Sequence, residues 1–336
     1  MKLYFIKLNK KPAKLKFCYF GVKLNALKKQ ILVITYSQTG QTDDIAENML
    51  KPFVSCDDID IHYEKLKPLH AYPFPWSGHE FFDAFPETVR EIPMEMQADN
   101  IPEKKYDLIL LGYQPWFLSV CRPVMSFLQS EKGPKLFKDT PVVTFLGCRN
   151  MFVNAQEKMK RQLHKMGAKH VGQIALVDKS ANLVSLVTIL AWMLKGVREG
   201  FMGIFPRSGV SIAETNGAER FGELILKALN TQTLHNLQTE LLSAGAMEIK
   251  PSLLIMESRG AKNFRFWARY ISNKGEAGNP ARFGRLKLFM FVLPTAIVIL
   301  TPITTLLKWI VLLTKKKKLL AEAEYYKSVE FRGYDL

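Results

Sequence analysis

The sequence of 336 residues lacks closely spaced cysteines. Its four cysteines, Cys18, Cys56, Cys121 and Cys148, lie far apart and form no Cys-x-x-Cys pair. Structural zinc sites and dithiol redox motifs need cysteines only a few residues apart, so the spacing argues against both. We therefore expect no metal site, and a reducing, cytoplasmic environment.

Acidic residues are missing from two stretches near the ends of the chain. Residues 1–30 carry nine lysines and no acid, and residues 279–318 carry eight Lys or Arg and no acid. Together they exceed the formal net charge of +16, so the rest of the chain is close to neutral. Because no zinc-finger or helix-turn-helix pattern accompanies this surplus, nucleic acid is not an expected partner.

A signal-peptide core is also absent. Residues 1–30 alternate lysines with short apolar clusters, and no small-residue cleavage site follows them. The preferred interpretation is a basic, disordered and dispensable extension. A membrane-surface or targeting arm is the alternative.

The common nucleotide-binding loops are missing, since there is no Gly-Lys-Ser/Thr ending and no Gly-x-Gly-x-x-Gly motif. Instead, an apolar run from Ile31 predicts a buried parallel strand, and helical spacing after Thr42 predicts a helix. Hydroxyls and free N–H groups in the loop between them suit a phosphate. The loop reads Ser37-Gln38-Thr39-Gly40-Gln41-Thr42. This pattern, Ser/Thr-x-Thr-Gly-x-Thr, resembles the FMN-phosphate loop of flavodoxins, although Ser37 and Thr42 could be only turn and cap residues.

Four further apolar strands are predicted, beginning near residues 59, 106, 140 and 170 and alternating with helix-like stretches. Such alternation is typical of a parallel, doubly wound sheet. We predict an α/β fold with a five-stranded flavodoxin-like sheet in the order 2-1-3-4-5. The domain would cover residues 31–250, with an aromatic insert at 66–95 and helical additions at 182–242.

Ligands of such sheets lie at the carboxyl ends of the strands. The turn after the third strand, Gly112-Tyr-Gln-Pro-Trp116, is therefore predicted to lie beside the Ser37 loop. Trp116 is the first choice to cover a flavin ring by stacking, with Pro115 beside it and Tyr113 as second choice. A tryptophan that merely packs in the loop is the alternative. In the insert, Tyr72, Phe74 and Trp76 could wall an apolar substrate site or belong to an ordinary packed crossover.

The loop after the fourth strand should approach the polar edge of the isoalloxazine through Gly147, Arg149 and Asn150. A cation at Arg149 would stabilise a reduced flavin anion, although a surface salt bridge is an equally good interpretation. Cys148 has no evident base partner and is interpreted as a small apolar filler.

An uncharged run of twenty residues from Leu288 to Leu307 is long enough, as a helix, to cross about 30 Å of hydrocarbon. Cations on both flanks break the positive-inside preference of a single transmembrane helix. A monotopic or re-entrant anchor fits better, and a buried soluble helix is the alternative. We predict a linker or helix at 251–287, a hydrophobic membrane segment at 288–314 and a basic cytoplasmic tail at 315–336.

Several motifs together resemble the flavodoxin-like dialkylresorcinol condensing enzyme family. Besides the Tyr-Ser-Gln-Thr-Gly-Gln loop, they are Tyr72-Pro-Phe-Pro-Trp76, Phe81-Phe-Asp-Ala-Phe-Pro-Glu87, Gly147-Cys-Arg-Asn-Met151, Ala155-Gln-Glu157 and Glu257-Ser-Arg-Gly260.

The resemblance implies a bacterial secondary-metabolite pathway in which a ketosynthase partner makes a dialkylcyclohexane-1,3-dione. This chain would then aromatise the lipophilic dione with FMN, at the cytoplasmic face of a membrane. A base must take the acidic proton between the carbonyls, and the candidates are His79, Glu80 and Tyr113.

Three other functions stay open at this point. They are a one-electron carrier of flavodoxin type, a membrane-associated NAD(P)H:quinone reductase, and a flavin-free scaffold for the ketosynthase. Uptake of hydride from a nicotinamide would favour the reductase, and absence of a flavin chromophore would favour the scaffold.

Overall fold

The computed structural model describes residues 28–333, and within them it describes no side chains at 298 and 300–313. Most of the predicted N-terminal extension, residues 1–27, therefore lies outside the described residues, as do residues 334–336. Within the predicted membrane segment at 288–314, the side chains of residues 298 and 300–313 are likewise outside the description.

Seven strands and twelve helices make up the described chain. The strands are β1 (Lys29–Thr35), β2 (Ile59–Lys65), β3 (Leu108–Tyr113), β4 (Pro115–Trp116), β5 (Ser119–Val120), β6 (Pro141–Cys148) and β7 (Lys169–Val177). The helices are α1 (Gln41–Leu50), α2 (Gly78–Asp83), α3 (Phe85–Arg90), α4 (Arg122–Gln129), α5 (Lys132–Phe137), α6 (Val153–Lys165), α7 (Asn182–Lys195), α8 (Ile212–Asn216), α9 (Glu219–Asn230), α10 (Leu237–Ser243), α11 (Pro251–Ser272) and α12 (Phe283–Lys327).

The five long strands form one parallel sheet in the order β2-β1-β3-β6-β7. Counting long strands only, this is the predicted order 2-1-3-4-5, so the prediction of a five-stranded doubly wound sheet is confirmed. Each strand begins within two residues of its predicted start. The order places the carboxyl ends of β1 and β3 side by side, where the chain reverses its direction of winding.

Both faces of the sheet are buried, which is why its central strands are apolar without alternation. Leu32 and Ile34 of β1 belong to one core cluster, whereas Ile31 and Val33 belong to the cluster on the opposite face. Successive side chains of a strand point to opposite faces, so one apolar run supplies both cores. At the edge of the sheet, β2 pairs only with β1 within the described residues, and most of its side chains are partly exposed.

A small antiparallel hairpin, β4–β5, follows β3 and was not predicted. Its two connecting residues, Phe117 and Leu118, have φ of 49° and 60°. Positive φ at both central positions matches the twist of a two-residue hairpin, but side chains other than Gly, Asn and Asp adopt it rarely. The hairpin therefore holds the turn after β3 in a conformation that its own residues do not favour.

Helix α7 lies in the predicted helical additions at 182–242, and its largely apolar sequence favours a buried closing helix or an interface. It is buried on one face only, through Ser185, Thr188 and Trp192, whereas Leu183 and Val187 are exposed. The interpretation as a fully buried closing helix is therefore wrong, whereas the alternative of an interface stays a prediction. The small and polar residues face the protein because α7 lies over the polar loops at the end of the sheet.

The C-terminal part contains two long helices. The predicted linker or helix at 251–287 is mainly α11, and α12 follows over 45 residues with a non-helical backbone at Lys315 (φ −121°, ψ 16°). Within the described residues no helix is both long enough and apolar enough to cross a bilayer. Beyond the kink, Leu319, Ala323 and Tyr326 are buried in the main core, so the region predicted as a basic tail also packs on the domain.

Candidate functional site

The loop after β1 turns into α1 at Gly40. Gly40 has φ 81° and ψ −20°, a left-handed conformation that glycine adopts at little cost. Ser37 Oγ accepts a hydrogen bond from the Thr42 N–H at 3.1 Å. The N–H groups of Thr39, Gly40 and Gln41 have no hydrogen-bond partner within residues 28–333. Three donors at the start of a ten-residue helix are therefore available to an anion.

Buried polar atoms without partners lie on the loops that surround this turn. In the described chain they include Thr42 Oγ1, Asn150 Oδ1, Ser208 Oγ and Arg198 Nε. Thr42 and Ser208 are fully buried. Since a buried polar atom without a hydrogen bond is costly, its presence on three loops at one edge of the sheet fits a bound polar ligand.

Gln41 holds a distant segment over the loop. Its buried side-chain oxygen accepts hydrogen bonds from the Val210 N–H at 2.8 Å and from Arg198 Nη2 at 3.5 Å. A Cβ on Gly147 would lie 2.7 Å from Gln41 Nε2, and one on Gly209 would collide with the same side chain. Gln41, predicted as a flavin contact, therefore packs against protein through its side chain and offers only its N–H to the loop.

Gln38 connects the loop to the aromatic insert. Its Nε2 donates to the carbonyl oxygen of Pro73 at 2.9 Å, and its Oε1 accepts from the Tyr36 hydroxyl at 2.5 Å. Its N–H donates to Gln114 Oε1 at 3.0 Å. The insert therefore reaches the phosphate-type loop, as an aromatic wall of the site would.

Trp116 lies at the centre of an aromatic cluster beside the loop. Its ring centroid is 5.2 Å from that of Tyr72, 5.4 Å from Trp76 and 5.8 Å from Tyr36, each in an edge-to-face arrangement. Tyr72 and Trp76 stack on each other at 4.7 Å. These rings are preorganised, and the half-buried Trp116 offers apolar area at a low cost in conformational entropy. Phe74, in contrast, is exposed.

Arg149 lies after β6, as predicted, but is used to fasten α7. Its guanidinium donates to Ser185 Oγ at 3.1 Å and to Asn182 Oδ1 at 2.7 Å. Burial lowers its pKa to about 10, while the neighbouring carboxylate of Asp178 favours the charged form. Burial also raises the pKa of the Cys148 thiol well above its ordinary value, which agrees with an inert filler rather than a nucleophile.

The three candidate bases occupy separate environments. Tyr113 is fully buried, and burial raises the pKa of its hydroxyl well above the ordinary value. Glu80 is exposed and forms a capping box with Ser77 at the start of α2. His79 has its ring 4.5 Å from that of Phe283 on α12. Glu80 thus has a structural role as a cap, whereas the buried Tyr113 hydroxyl and the His79 Nε2 have no hydrogen-bond partner among the described residues.

The loops after β1, β3 and β6 meet at the carboxyl edge of a parallel sheet with strand order β2-β1-β3-β6-β7. The chain has a flavodoxin-like fold. No protein-family model matches the sequence, and no curated protein matches it.

Several solved structures are similar to part of the chain. A flavoprotein from Lactobacillus acidophilus NCFM, in complex with FMN, has 19% sequence identity and a TM-score of 0.35 over 44% of this chain and 93% of its own. Oxidised Flavodoxin 1 from Bacillus cereus has 15% identity and a TM-score of 0.29 over 50% of this chain and 99% of its own. A flavodoxin from the domain Archaea has 14% identity and a TM-score of 0.28 over 51% and 99%. The fold assignment rests on the strand order and not on these likenesses.

Sequence reasoning missed the contribution of residues 196–211 to the candidate site. Arg198 stacks on Trp192, with its guanidinium carbon 4.2 Å from the ring centroid. Ser208 is fully buried, and its N–H donates a hydrogen bond to the Arg198 carbonyl oxygen. The Gly209 N–H donates to Asp178 at 3.3 Å. The local signal in residues 196–211 is their glycine content, which predicts a loop but not the part of the fold that the loop contacts.

Proposed function

We propose that this chain is an FMN-dependent oxidoreductase that aromatises a dialkylcyclohexane-1,3-dione supplied by a ketosynthase. The observation that carries the flavin part of the proposal is the set of three open N–H groups beside the unpaired, buried hydroxyl of Thr42. The reaction and the ketosynthase partner come from the family resemblance of the sequence motifs.

The residues present fit FMN. Its phosphate would bind the N–H groups of Thr39, Gly40 and Gln41 together with the hydroxyl of Thr42, and no lysine is needed in such a nest. Arg198, whose Nε is buried and unpaired, would add positive charge near the phosphate. When bound, FMN would supply the acceptor for a hydride from a ring CH carbon outside the 1,3-dicarbonyl unit, and loss of one proton with enolisation would then give the resorcinol.

The chain's own contribution to the reaction would be to orient and to dehydrate the substrate. The stacked pair Tyr72 and Trp76, with Trp116 across it, forms an apolar wall beside the loop. Such a wall suits the alkyl chains of a dione and excludes water from the reacting ring. An electron carrier that exchanges electrons at an exposed flavin edge does not need this wall.

The test is anaerobic mixing of the FMN-loaded protein with a 2,5-dialkylcyclohexane-1,3-dione. We expect the visible flavin absorbance to bleach while one resorcinol forms for each flavin. Bleaching by NADPH but not by the dione would overturn the aromatase in favour of the quinone reductase. Purified protein that cannot retain FMN would favour the scaffold.

A variant isolates the phosphate loop from the rest of the proposal. Thr42→Val removes a hydroxyl and keeps the side-chain volume, and we expect FMN to bind about tenfold to a hundredfold more weakly, as for loss of a hydrogen bond to a charged group. Thr239→Val, at an exposed position of α10, is the matched control. Equal FMN affinity of the two variants in fluorescence titrations would contradict the assignment of the loop.

A further inference from the structure

Both ends of α12 are packed on the same folded domain. Near its start, Leu286 and Phe289 are fully buried against Phe85 of the insert and Ala268 of α11. Near its end, Leu319, Ala323 and Tyr326 are buried in the main core with Leu254. The stretch between the two contacts includes most of the uncharged run of residues 288–307.

Buried polar contacts fix the first of these ends. Arg282, fully buried just before α12, donates from Nε to Asp83 at 2.7 Å and from Nη1 to Glu87 at 2.6 Å. Two carboxylates from the insert thus hold one guanidinium, an arrangement that gives a defined geometry.

The second end is fixed in the same way. Gln156 Nε2 donates to the Tyr326 carbonyl at 2.6 Å, and Gln238 Nε2 donates to the Lys327 carbonyl at 2.7 Å. The Tyr325 hydroxyl donates to Glu157 at 2.7 Å. Neither end of α12 is therefore a free linker.

This arrangement excludes a single membrane crossing by α12. A helix that crosses a bilayer has its two ends on opposite sides of about 30 Å of hydrocarbon. One domain that contacts both ends lies on one side only. Both ends of α12 must therefore lie on the same side as the domain of any membrane that the helix meets.

The described surface of α11 and α12 carries exposed apolar side chains. Phe291 of α12 is 70% exposed, and Leu288 and Ile299 are also exposed. On α11, which packs against α12, Phe266 is exposed next to the half-buried Trp267 and Tyr270. Tryptophan and tyrosine are enriched where proteins meet the headgroup region of a bilayer.

The charge on the same two helices has one sign. Between residues 258 and 321 there are thirteen Lys or Arg and a single acid, Glu276. Exposed cations include Lys262 and Arg269 on α11, Lys287 on α12, and Lys315–Lys318 at the kink. Cores of protein–protein interfaces are depleted of lysine, whereas cations beside an apolar helix attract anionic headgroups.

We infer that α11 and α12 form a monotopic membrane-binding surface, which inserts into one leaflet of a bilayer that contains anionic phospholipid. The inference is independent of the flavin site. It deepens the expectation of membrane association by specifying the topology, the helices and the lipid class.

Flotation of the full-length protein with lipid vesicles tests the surface. We expect strong binding to vesicles of phosphatidylcholine with about 30% phosphatidylglycerol, weaker binding to phosphatidylcholine alone, and loss of that difference in high salt. The double variant L288S/F291S should bind about tenfold more weakly, because both side chains are exposed and each contributes apolar area. Val54→Ser, at a residue that is 84% exposed in the turn after α1, is the matched control.

Either of two results would overturn the surface. In the first, the double variant binds vesicles as the control does. In the second, sedimentation shows that wild-type protein is a dimer which the double variant dissociates, with vesicle binding unchanged, so that a second copy of the chain covers these residues.

Cysteine labelling tests the topology. Gly284→Cys and Lys317→Cys place thiols at exposed positions on the two sides of the apolar stretch. With protein bound to the outside of sealed vesicles, a membrane-impermeant maleimide should modify both, as read by peptide mass spectrometry. Protection of one position until detergent is added would mean that α12 crosses the bilayer, and the monotopic inference would be wrong.

Discussion

Glu257 offers a test of the packing between α11 and the flavodoxin-like domain. It is 1% exposed, and one carboxylate oxygen accepts the Asn154 N–H at 2.7 Å near the start of α6. Burial raises the pKa of this carboxyl from 4.5 to about 7. Hydrogen bonds from N–H groups at the start of α6 lower the pKa, but burial has the larger effect. The protonated form is thus favoured by folding.

The sign of the effect on stability follows from this direction. Below pH 4.5 the carboxyl is protonated in both states, so ionisation costs nothing. Between pH 4.5 and 7 the native state binds more protons than the unfolded state, and stability falls as the pH rises. Above about pH 7 both states are ionised, and the full cost of a buried charge remains. The difference in pKa corresponds to about 3 kcal/mol.

The variant Glu257→Gln cannot ionise, but it keeps an oxygen that can accept the Asn154 N–H. We expect it to match wild type in free energy of unfolding near pH 4.5 and to exceed it by as much as about 3 kcal/mol at pH 8. Urea unfolding followed by circular dichroism across this range measures the difference. Glu248→Gln, at an exposed position, is the control. A difference between E257Q and wild type that does not change with pH would refute the reasoning.

Three further changes probe other contacts. Arg282→Met leaves Asp83 and Glu87 without their buried partner and should lower the free energy of unfolding by about 3–5 kcal/mol; unchanged urea denaturation would contradict the buried ion pair. Gly112→Ala puts a Cβ 2.5 Å from Phe145 and 2.9 Å from the Thr42 methyl, so both thermal stability and FMN affinity should fall; loss of neither would refute this packing. Lys160→Met removes the buried cation that lies 3.0 Å from the Glu157 carboxylate, so the docked end of α12 should loosen and trypsin should cleave faster within Lys315–Lys318; equal cleavage would argue against the contact.

The sheet could be predicted from the sequence because its information is local. Each central strand buries both faces, so a largely apolar strand of six to eight residues marks it without knowledge of its neighbours. Strands that alternate with helices leave few topologies once right-handed crossovers are required. The same locality places the loop at Ser37–Thr42, since a loop between a buried strand and a helix must lie at the carboxyl edge.

The segment that covers the site could not be predicted, because it is held by contacts between distant residues. The bond from the Val210 N–H to Gln41 spans 169 residues, and neither residue type signals it. The role of Arg149 could not be predicted either, because an arginine that follows a strand can contact a ligand or bind a neighbouring helix. Here its hydrogen-bond partners are on α7. A composition rich in aromatics correctly marked the insert as packed, but its attachment to Gln38 is again a contact between distant parts of the chain.

The position of α12 could not be predicted for the same physical reason. Its charge-free run has the length and composition of a membrane segment, and composition cannot tell whether the flanks are free or docked. Docking of the last turns depends on Gln156 and Gln173, which are buried polar residues whose side-chain amides bond the Tyr326 carbonyl at 2.6 and 2.9 Å. In the sequence these glutamines resemble ordinary surface positions of a helix and a strand.

The buried ion pair at Arg282 connects the two proposals physically. Asp83 and Glu87 lie on the insert whose earlier residues, Tyr72 and Trp76, wall the candidate flavin site. The residue they hold begins α12, the helix inferred to lie on the membrane. The insert therefore contacts both α12 and the loops of the candidate flavin site. A lipophilic substrate and a monotopic surface are therefore consistent with each other, although each is tested by a separate experiment.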